Sequence, residues 1–137
     1  MNPALSILQN LQLQVDQKDW HSVITECTDL IPQHPNSPIL WNIFGLGHMR
    51  VGNFSGAKMA FTEAIGLNQD FAPAHFNLAK VFRGLGAFEE AAASYEICIG
   101  LEPNNPQFQS DFGNLLTKLN RFEDAAVYLM NAAKMEK

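Results

Sequence analysis

The stretch Gly86-Ala-Phe-Glu-Glu-Ala-Ala-Ala-Ser-Tyr-Glu-Ile-Cys-Ile-Gly-Leu-Glu-Pro103 decides the fold, because parts of it recur along the chain at one interval. Phe88 lies in this stretch, and aromatic residues stand at steps of 34 residues from it, namely Phe54, Phe122 and Trp20. Self-similarity at a fixed period of a few tens of residues is the sequence signature of repeat architectures. The chain is therefore predicted to be a stack of similar units, each packed on its neighbours.

The shared aromatic residue divides the chain into four units. Placing it at the seventeenth position gives units of approximately 4–37, 38–71, 72–105 and 106–137. Each unit contains two amphipathic helical patterns separated by a polar or glycine-containing turn, which predicts a pair of antiparallel helices. In the second unit the first helix is expected from about Ser37 to Val51 and the second from near Ser55. Residues 1–137 are predicted to form a single array.

Small residues recur at two places of the units, where they are expected to let the paired helices approach closely. The eighth place holds Gly45, Ala79 and Gly113, and the twentieth place holds Ala57, Ala91 and Ala125. Large apolar side chains beside them, such as Phe61 and Tyr95, are predicted to fill the remaining space.

Composition and charge exclude several classes of protein. The chain is 47% hydrophobic and 17% charged, which argues against disorder, and its net charge of −5 without a basic patch argues against nucleic-acid binding. Cys27 and Cys98 are predicted to be buried free thiols. No signal peptide is recognised and no apolar run approaches the length of about 20 residues that spans a bilayer, so we expect a cytoplasmic protein without membrane insertion.

The repeated pattern resembles the tetratricopeptide repeat (TPR). The second unit reads Trp41-x-x-Phe44-Gly45-x-x-His48, then Gly52-x-Phe54-x-x-Ala57-x-x-x-Phe61, and the third unit follows it closely. The resemblance covers nearly the whole chain. It implies an all-α, right-handed solenoid of antiparallel helix pairs, a superhelix whose concave groove binds peptides or protein surfaces.

Four residues depart from the family pattern, and we expect none of them to disturb the fold. His48 stands where the family usually has Tyr, Gln69 replaces a proline, and His75 and Gln109 replace a Trp-like residue. The sequence also ends with the last predicted helix, whereas arrays of this family commonly end with an additional polar-faced helix. We therefore expect either part of a longer protein or an open end that packs against something else.

By the same resemblance, the first helix of each unit lines the groove. The candidate peptide-binding residues are Asn42, Leu46, Met49, Phe76, Asn77, Lys80, Arg83, Asp111, Asn114 and Lys118. Asn77 and Asn114 are the favoured backbone clamps because an amide both donates and accepts hydrogen bonds, and Lys80, Arg83 and Lys118 suit an acidic peptide. The alternative is that the polar residues are only solvated, and that the apolar strip Ile39, Ile43, Leu46 and Met49 is buried against the first unit.

One subtype of the family binds acidic chaperone tails through a clamp of Lys, Asn and Arg residues. Leu8 and Gln12 stand where that clamp needs Lys and Asn. One unit later the clamp places hold Asn42, Leu46, Asn77, Gln107 and Asp111, of which only two match and none is basic. Chaperone tails are therefore excluded as the predicted partner.

No catalytic, metal or cofactor site is predicted. The four histidines show no ligand spacing with one another or with the cysteines. Glu89-Glu90 and Glu123-Asp124 begin second helices, where acidic residues stabilise the helix dipole. The predicted function is a non-catalytic adaptor or scaffold that binds a protein or peptide. The alternatives are the N-terminal recognition domain of a longer glycosyl- or sulfotransferase and a scaffold that self-assembles through its uncapped last helix.

Overall fold

The computed structural model describes residues 3–136, and within them the chain forms eight α-helices and no strand. Consecutive helices form four pairs, as the all-α repeat prediction requires. The helices are α1 (Leu5–Asp16), α2 (Trp20–Leu30), α3 (Pro38–Arg50), α4 (Phe54–Leu67), α5 (Ala72–Gly84), α6 (Phe88–Leu101), α7 (Pro106–Lys118) and α8 (Phe122–Met135). The predicted helix boundaries in the second unit are confirmed to within one residue.

Helix starts follow the capping residues in the sequence. The Ser37 hydroxyl accepts the Leu40 amide at the start of α3, and the Asn53 and Asn105 side chains accept backbone N–H groups at the starts of α4 and α7. A proline stands in the first turn of α3, α5 and α7, where its missing N–H has no helical acceptor to lose.

The turn inside each pair contains one residue in the left-handed region, always at the same place of the unit. These residues are Lys18 (φ 58°), Gly52 (φ 87°), Gly86 (φ 77°) and Asn120 (φ 63°). Glycine adopts this conformation freely, whereas a side chain with a Cβ is strained there, Asn less than most. The middle two turns are therefore the less strained ones.

The helices of a pair approach closely where the small residues were predicted. A Cβ added at Gly45 would lie 2.5 Å from a ring carbon of Phe61, and one added at Gly113 would lie 2.6 Å from Leu129 Cγ. Ala57 and Ala91 are fully buried. The predicted alternation of small and large residues between α3 and α4, α5 and α6, and α7 and α8 is confirmed.

The substitutions at the Trp-like place keep one hydrogen bond. Trp41 Nε1, His75 Nε2 and Gln109 Nε2 each donate to the backbone carbonyl six residues earlier, that of Pro35, Gln69 or Pro103, at 3.1, 2.8 and 3.0 Å. Three different side chains thus join the start of a first helix to the loop before it. This shared donor explains why the departures at His75 and Gln109 leave the fold intact.

Candidate peptide-binding groove

The first helices α3, α5 and α7 carry the residues predicted to bind a peptide, and we call the surface they form the inner groove. Asn77 Nδ2 donates to Asn42 Oδ1 at 3.1 Å, which ties α5 to α3. This bond uses one of the two N–H donors of Asn77. The residue is only 8% exposed, so little of it faces solvent. The predicted backbone clamp would therefore act through the groups that this bond leaves unused.

Three cations gather near the carboxyl-terminal ends of α3 and α5. We call Arg50, Lys80 and Arg83 the basic cluster. Lys80 Nζ lies 4.7 Å from the centre of the Phe76 ring, which holds the side chain along the groove. Burial lowers the pKa of Lys80, the nearby Arg50 lowers it further, and Asp111 opposes both effects. Lys80 and Arg50 therefore lie close enough for their charges to repel each other.

Asp111 of α7 is the carboxylate nearest to this cluster. Its pKa is raised by burial, and Lys80 and Arg83 reduce the shift without cancelling it. Among residues 3–136 the one ion pair within 4.0 Å joins Arg121 to Glu89 at 2.7 Å, so Asp111 pairs directly with neither Lys80 nor Arg83. The basic cluster thus has no ion-pair partner among the described residues.

The Tyr95 hydroxyl lies beneath this cluster. Tyr95 is fully buried, and its hydroxyl has no hydrogen-bond partner in the described structure. Burial raises the pKa of Tyr95 to about 12, while Arg83 lies near enough to oppose the shift without forming a hydrogen bond of good geometry. A small movement of Arg83 would satisfy the hydroxyl, because a guanidinium offers five N–H donors.

Cations also cover the repeated aromatic residues. Arg50 lies 5.9 Å above the Trp20 ring and Lys118 lies 5.0 Å above the Phe88 ring, each one covering the shared aromatic residue of the preceding unit. Gly84 occupies the same place in the third unit and approaches the Phe54 ring instead. Arg50 and Lys118 therefore have a packing role, which for Lys118 adds to its predicted place in the groove.

The other predicted residues are divided between the groove surface and the core. Phe76 is 7% exposed and packs on Phe108 at 4.7 Å between ring centres, whereas Asn114 and Lys118 are exposed. The apolar strip is half-buried: Ile43 packs on the core between the first and second units, and Met49 packs on that of Ala57, Phe61 and Val81. The structure thus covers part of the strip and leaves the peptide contacts of all ten residues as predictions.

The thiols and one histidine are explained by packing. Cys27 and Cys98 are buried and free, as predicted, and burial raises the pKa of each to about 12. His48 Nδ1 accepts a hydrogen bond from Asn53 Nδ2 at 3.1 Å, its ring lies 4.5 Å from that of Phe44, and burial lowers its pKa.

Residues 3–136 contain no group of three His, Cys, Asp or Glu side chains arranged to hold a metal ion. Among the same residues, no helix has the length and apolarity needed to cross a membrane.

Comparison with known proteins agrees with the repeated geometry. Residues 72–105, which coincide with the predicted third unit, match the sequence model of the tetratricopeptide repeat. TTC0263, a thermophilic TPR protein of Thermus thermophilus, superposes with a TM-score of 0.84 at 18% identity, over 91% of this chain and 70% of that one. Residues 72–105 are a tetratricopeptide repeat, and the chain has the fold of TPR proteins.

Three further proteins resemble this TPR chain. The peroxisomal targeting signal receptor of Saccharomyces cerevisiae is 30% identical over 121 residues, and protein O-mannosyl-transferase TMTC3 of Mus musculus is 31% identical over 85 residues. These matches cover 88% and 62% of this chain but only 20% and 9% of the two relatives. The first TPR of Spaghetti (RPAP3), solved bound to the HSP90 peptide SRMEEVD, superposes with a TM-score of 0.76 at 22% identity, over 82% of this chain and 89% of that one.

Proposed function

We propose that the inner groove binds an extended segment of another protein and that acidic side chains of this segment contact the basic cluster. The observation that carries this proposal is the basic cluster itself: three cations with no ion-pair partner among residues 3–136, on a chain whose net charge is −5. Burial is the largest cause of the lowered Lys80 pKa, and repulsion by Arg50 adds to it; a peptide carboxylate between these cations would offset that repulsion. The protein would then act as a non-catalytic adaptor.

The relatives and the TPR fold support this proposal. One relative is named as a receptor for a targeting signal, and one structural neighbour was solved with a peptide that contains two Glu and one Asp. The basic cluster stands at other places of the repeat than the chaperone clamp, so the predicted partner differs from a chaperone tail. Asn77 and Asn114 remain the residues proposed to contact the peptide backbone.

Two matched peptides test the proposal by fluorescence anisotropy. The acidic probe is labelled Gly-Glu-Leu-Leu-Glu-Gly with blocked ends, and the basic probe replaces both Glu with Lys. We expect the acidic probe to bind the inner groove of the wild type more tightly than the basic probe does. The double substitution Lys80→Gln with Arg83→Gln should weaken acidic-probe binding roughly tenfold, the scale expected when close charge contacts are lost.

Asp111→Asn sharpens this test because it removes the carboxylate that interacts with Lys80 and Arg83. Affinity for the acidic probe should rise a few-fold, opposite in direction to the Lys80 and Arg83 substitutions. Lys134→Gln on the exposed part of α8 is the matched control and should leave binding unchanged. Equal affinity of the wild type and the double variant for the acidic probe would refute the proposed contact.

A second candidate function is that of a recognition domain in a longer transferase. It is favoured by the 31% identity to a protein named as an O-mannosyl-transferase, of which this chain spans 9%. An antibody raised against residues 38–105 tests it on extracts of the source organism. A band far above the chain's 15.2 kDa would support it, and a band at that mass alone would contradict it.

A third candidate is self-assembly through the last helix. Phe122, Val127 and Met130 of α8 are 61%, 56% and 58% exposed, and exposed apolar clusters of this kind mark association sites. Sedimentation equilibrium of the wild type and of Met130→Lys tests it. An average mass that rises with concentration in the wild type alone would support it, and a monomer mass throughout would exclude it.

A further inference from the structure

A second groove lies on the side of the second helices, between α4 and α6 and over the loop that joins α4 to α5. We call it the outer groove, and its volume is about 490 Å³. Its apolar lining comes from Ile65, Ile97 and Leu101. Ile97 is 47% exposed. An apolar groove of this size can accept a side chain that is not part of the described structure.

Two glycines line the outer groove at the same place of consecutive units. Gly66 lies in the last turn of α4 and Gly100 in the last turn of α6, and a Cβ added at either residue would meet nothing within 4 Å. Both have ordinary helical backbone, so neither a turn nor packing within this chain requires glycine there. Alanine would favour the helix more. The glycines leave the backbone of both helices open to close approach by another molecule.

The charge of the outer groove is opposite to that of the basic cluster. Asp70 and Glu96 line it, and no Lys or Arg is among its lining residues. His75 also lines it, but its Nε2 donates to the Gln69 carbonyl and the residue is 8% exposed. Both carboxylates are solvent-exposed, whereas Ile65 and Leu101 of the apolar lining are half-buried. A ligand that complements this surface has an apolar centre with positive charges beside it.

We infer that the outer groove binds a partner segment in which a Leu- or Ile-sized side chain is flanked by Lys or Arg residues. The apolar side chain packs on Ile65 and Ile97, and the flanking cations face Asp70 and Glu96. The main chain of the segment passes over Gly66 and Gly100, where no Cβ separates it from the helices. This site is separate from the inner groove and does not depend on the function proposed for it.

A titration followed by 15N–1H correlation spectra tests the inference with the two probes already described, here unlabelled. The basic probe should shift the amides of Gly66, Ile97 and Gly100 in a saturable way. The acidic probe should leave these three amides in place. The Lys80→Gln, Arg83→Gln double variant should respond to the basic probe as the wild type does, so a failure at one groove is distinguished from a failure at the other.

Two variants locate the contact without endangering the fold. Gly66→Gln with Gly100→Gln should raise the thermal midpoint by a few degrees, because Gln is a better helix former, and should weaken basic-probe binding at least about tenfold. Glu96→Lys should also weaken binding, whereas Glu63→Lys, on the exposed part of α4 and outside the groove lining, should not. Loss of binding in a more stable variant cannot result from unfolding.

Three outcomes would overturn the inference. The first is the absence of saturable shifts at Gly66, Ile97 and Gly100 with the basic probe. The second is unchanged binding by the double Gln variant, which would show that the glycines are not a contact surface. The third is a shift of the same amides with protein concentration alone, because the occupant would then be a second copy of the chain and not a basic segment.

Discussion

Helices α6 and α8 occupy the same place in consecutive units, yet only α6 has a following pair packed on it. Phe88 of α6 is half-buried, whereas its counterpart Phe122 is 61% exposed. Ala92 is 4% exposed and its counterpart Ala126 is exposed. The two sequences are similarly apolar at these places, so the difference in burial comes from α7 and not from the helices themselves.

The comparison shows where the stability of this protein arises. Within a pair, the contacts of α5 with α6 resemble those of α7 with α8, including the close approach at a small residue. Between pairs, α7 adds Phe112 stacked 5.7 Å from Tyr95 and Phe108 packed 4.7 Å from Phe76. Stability in such arrays is a sum of the terms within each unit and between neighbours, so α8 lacks the second term on its outer side.

The largest change in the free energy of unfolding is expected when the side chain that faces the partner helix is replaced by alanine. Tyr95 is fully buried and its counterpart Leu129 is half-buried. Tyr95→Ala should reduce the free energy of unfolding by about 3–5 kcal/mol, the range for large buried aromatic residues. Leu129→Ala should cost about 2 kcal/mol or less, because its site is open on one side.

Urea unfolding followed by circular dichroism measures both changes. If the two substitutions have equal costs, the outer face of α8 is covered in solution. A transition that becomes biphasic in Tyr95→Ala would also be informative, since it would show that the units on either side unfold separately.

A smaller effect is expected at the shared aromatic residue. Phe88 is half-buried under Lys118, so Phe88→Ala should reduce the free energy of unfolding by about 1–2 kcal/mol. Phe122→Ala should change it by less than about 0.5 kcal/mol, because that ring is 61% exposed in the described structure. The same urea titrations compare them, and a cost at Phe122 equal to that at Phe88 would contradict the uncovered face.

The fold could be predicted from the sequence because each of its determinants is local or periodic. The 34-residue interval predicted the units, the small residues predicted the close approaches, and Ser37 marked the start of α3. The equivalent hydrogen bonds of Trp41, His75 and Gln109 could not be predicted from the sequence. These side chains differ in shape and have only an N–H donor in common, and the carbonyl that accepts from it is known only from the geometry of the loop.

The candidate sites were harder to predict because they depend on how neighbouring units face each other. The resemblance predicted that Lys80 and Arg83 lie in the groove. The proximity of Arg50 to Lys80, and the absence of an ion pair between Asp111 and either Lys80 or Arg83, depend on distances between side chains that the sequence does not give. Gly66 lies in the last turn of α4, and its equivalence to Gly100 becomes informative only when both are seen to line one groove. A comparison of equivalent positions in consecutive repeats would have found Gly66 and Gly100.

The smallest predicted effect concerns Asp111, a carboxylate that α7 brings against the buried Tyr95 when it covers α6. Burial raises the Asp111 pKa above its ordinary value of 3.8, so the folded state holds this proton more tightly than the unfolded state. Its contribution to stability is therefore full below pH 3.8 and is lost as the pH rises through the raised pKa. Asp111→Asn cannot ionise, so it should gain stability relative to the wild type between about pH 4 and pH 7. Urea midpoints measured across this range would contradict the prediction if the two curves ran parallel, because Asp111 would then titrate alike in both states and α7 would not bury it against α6.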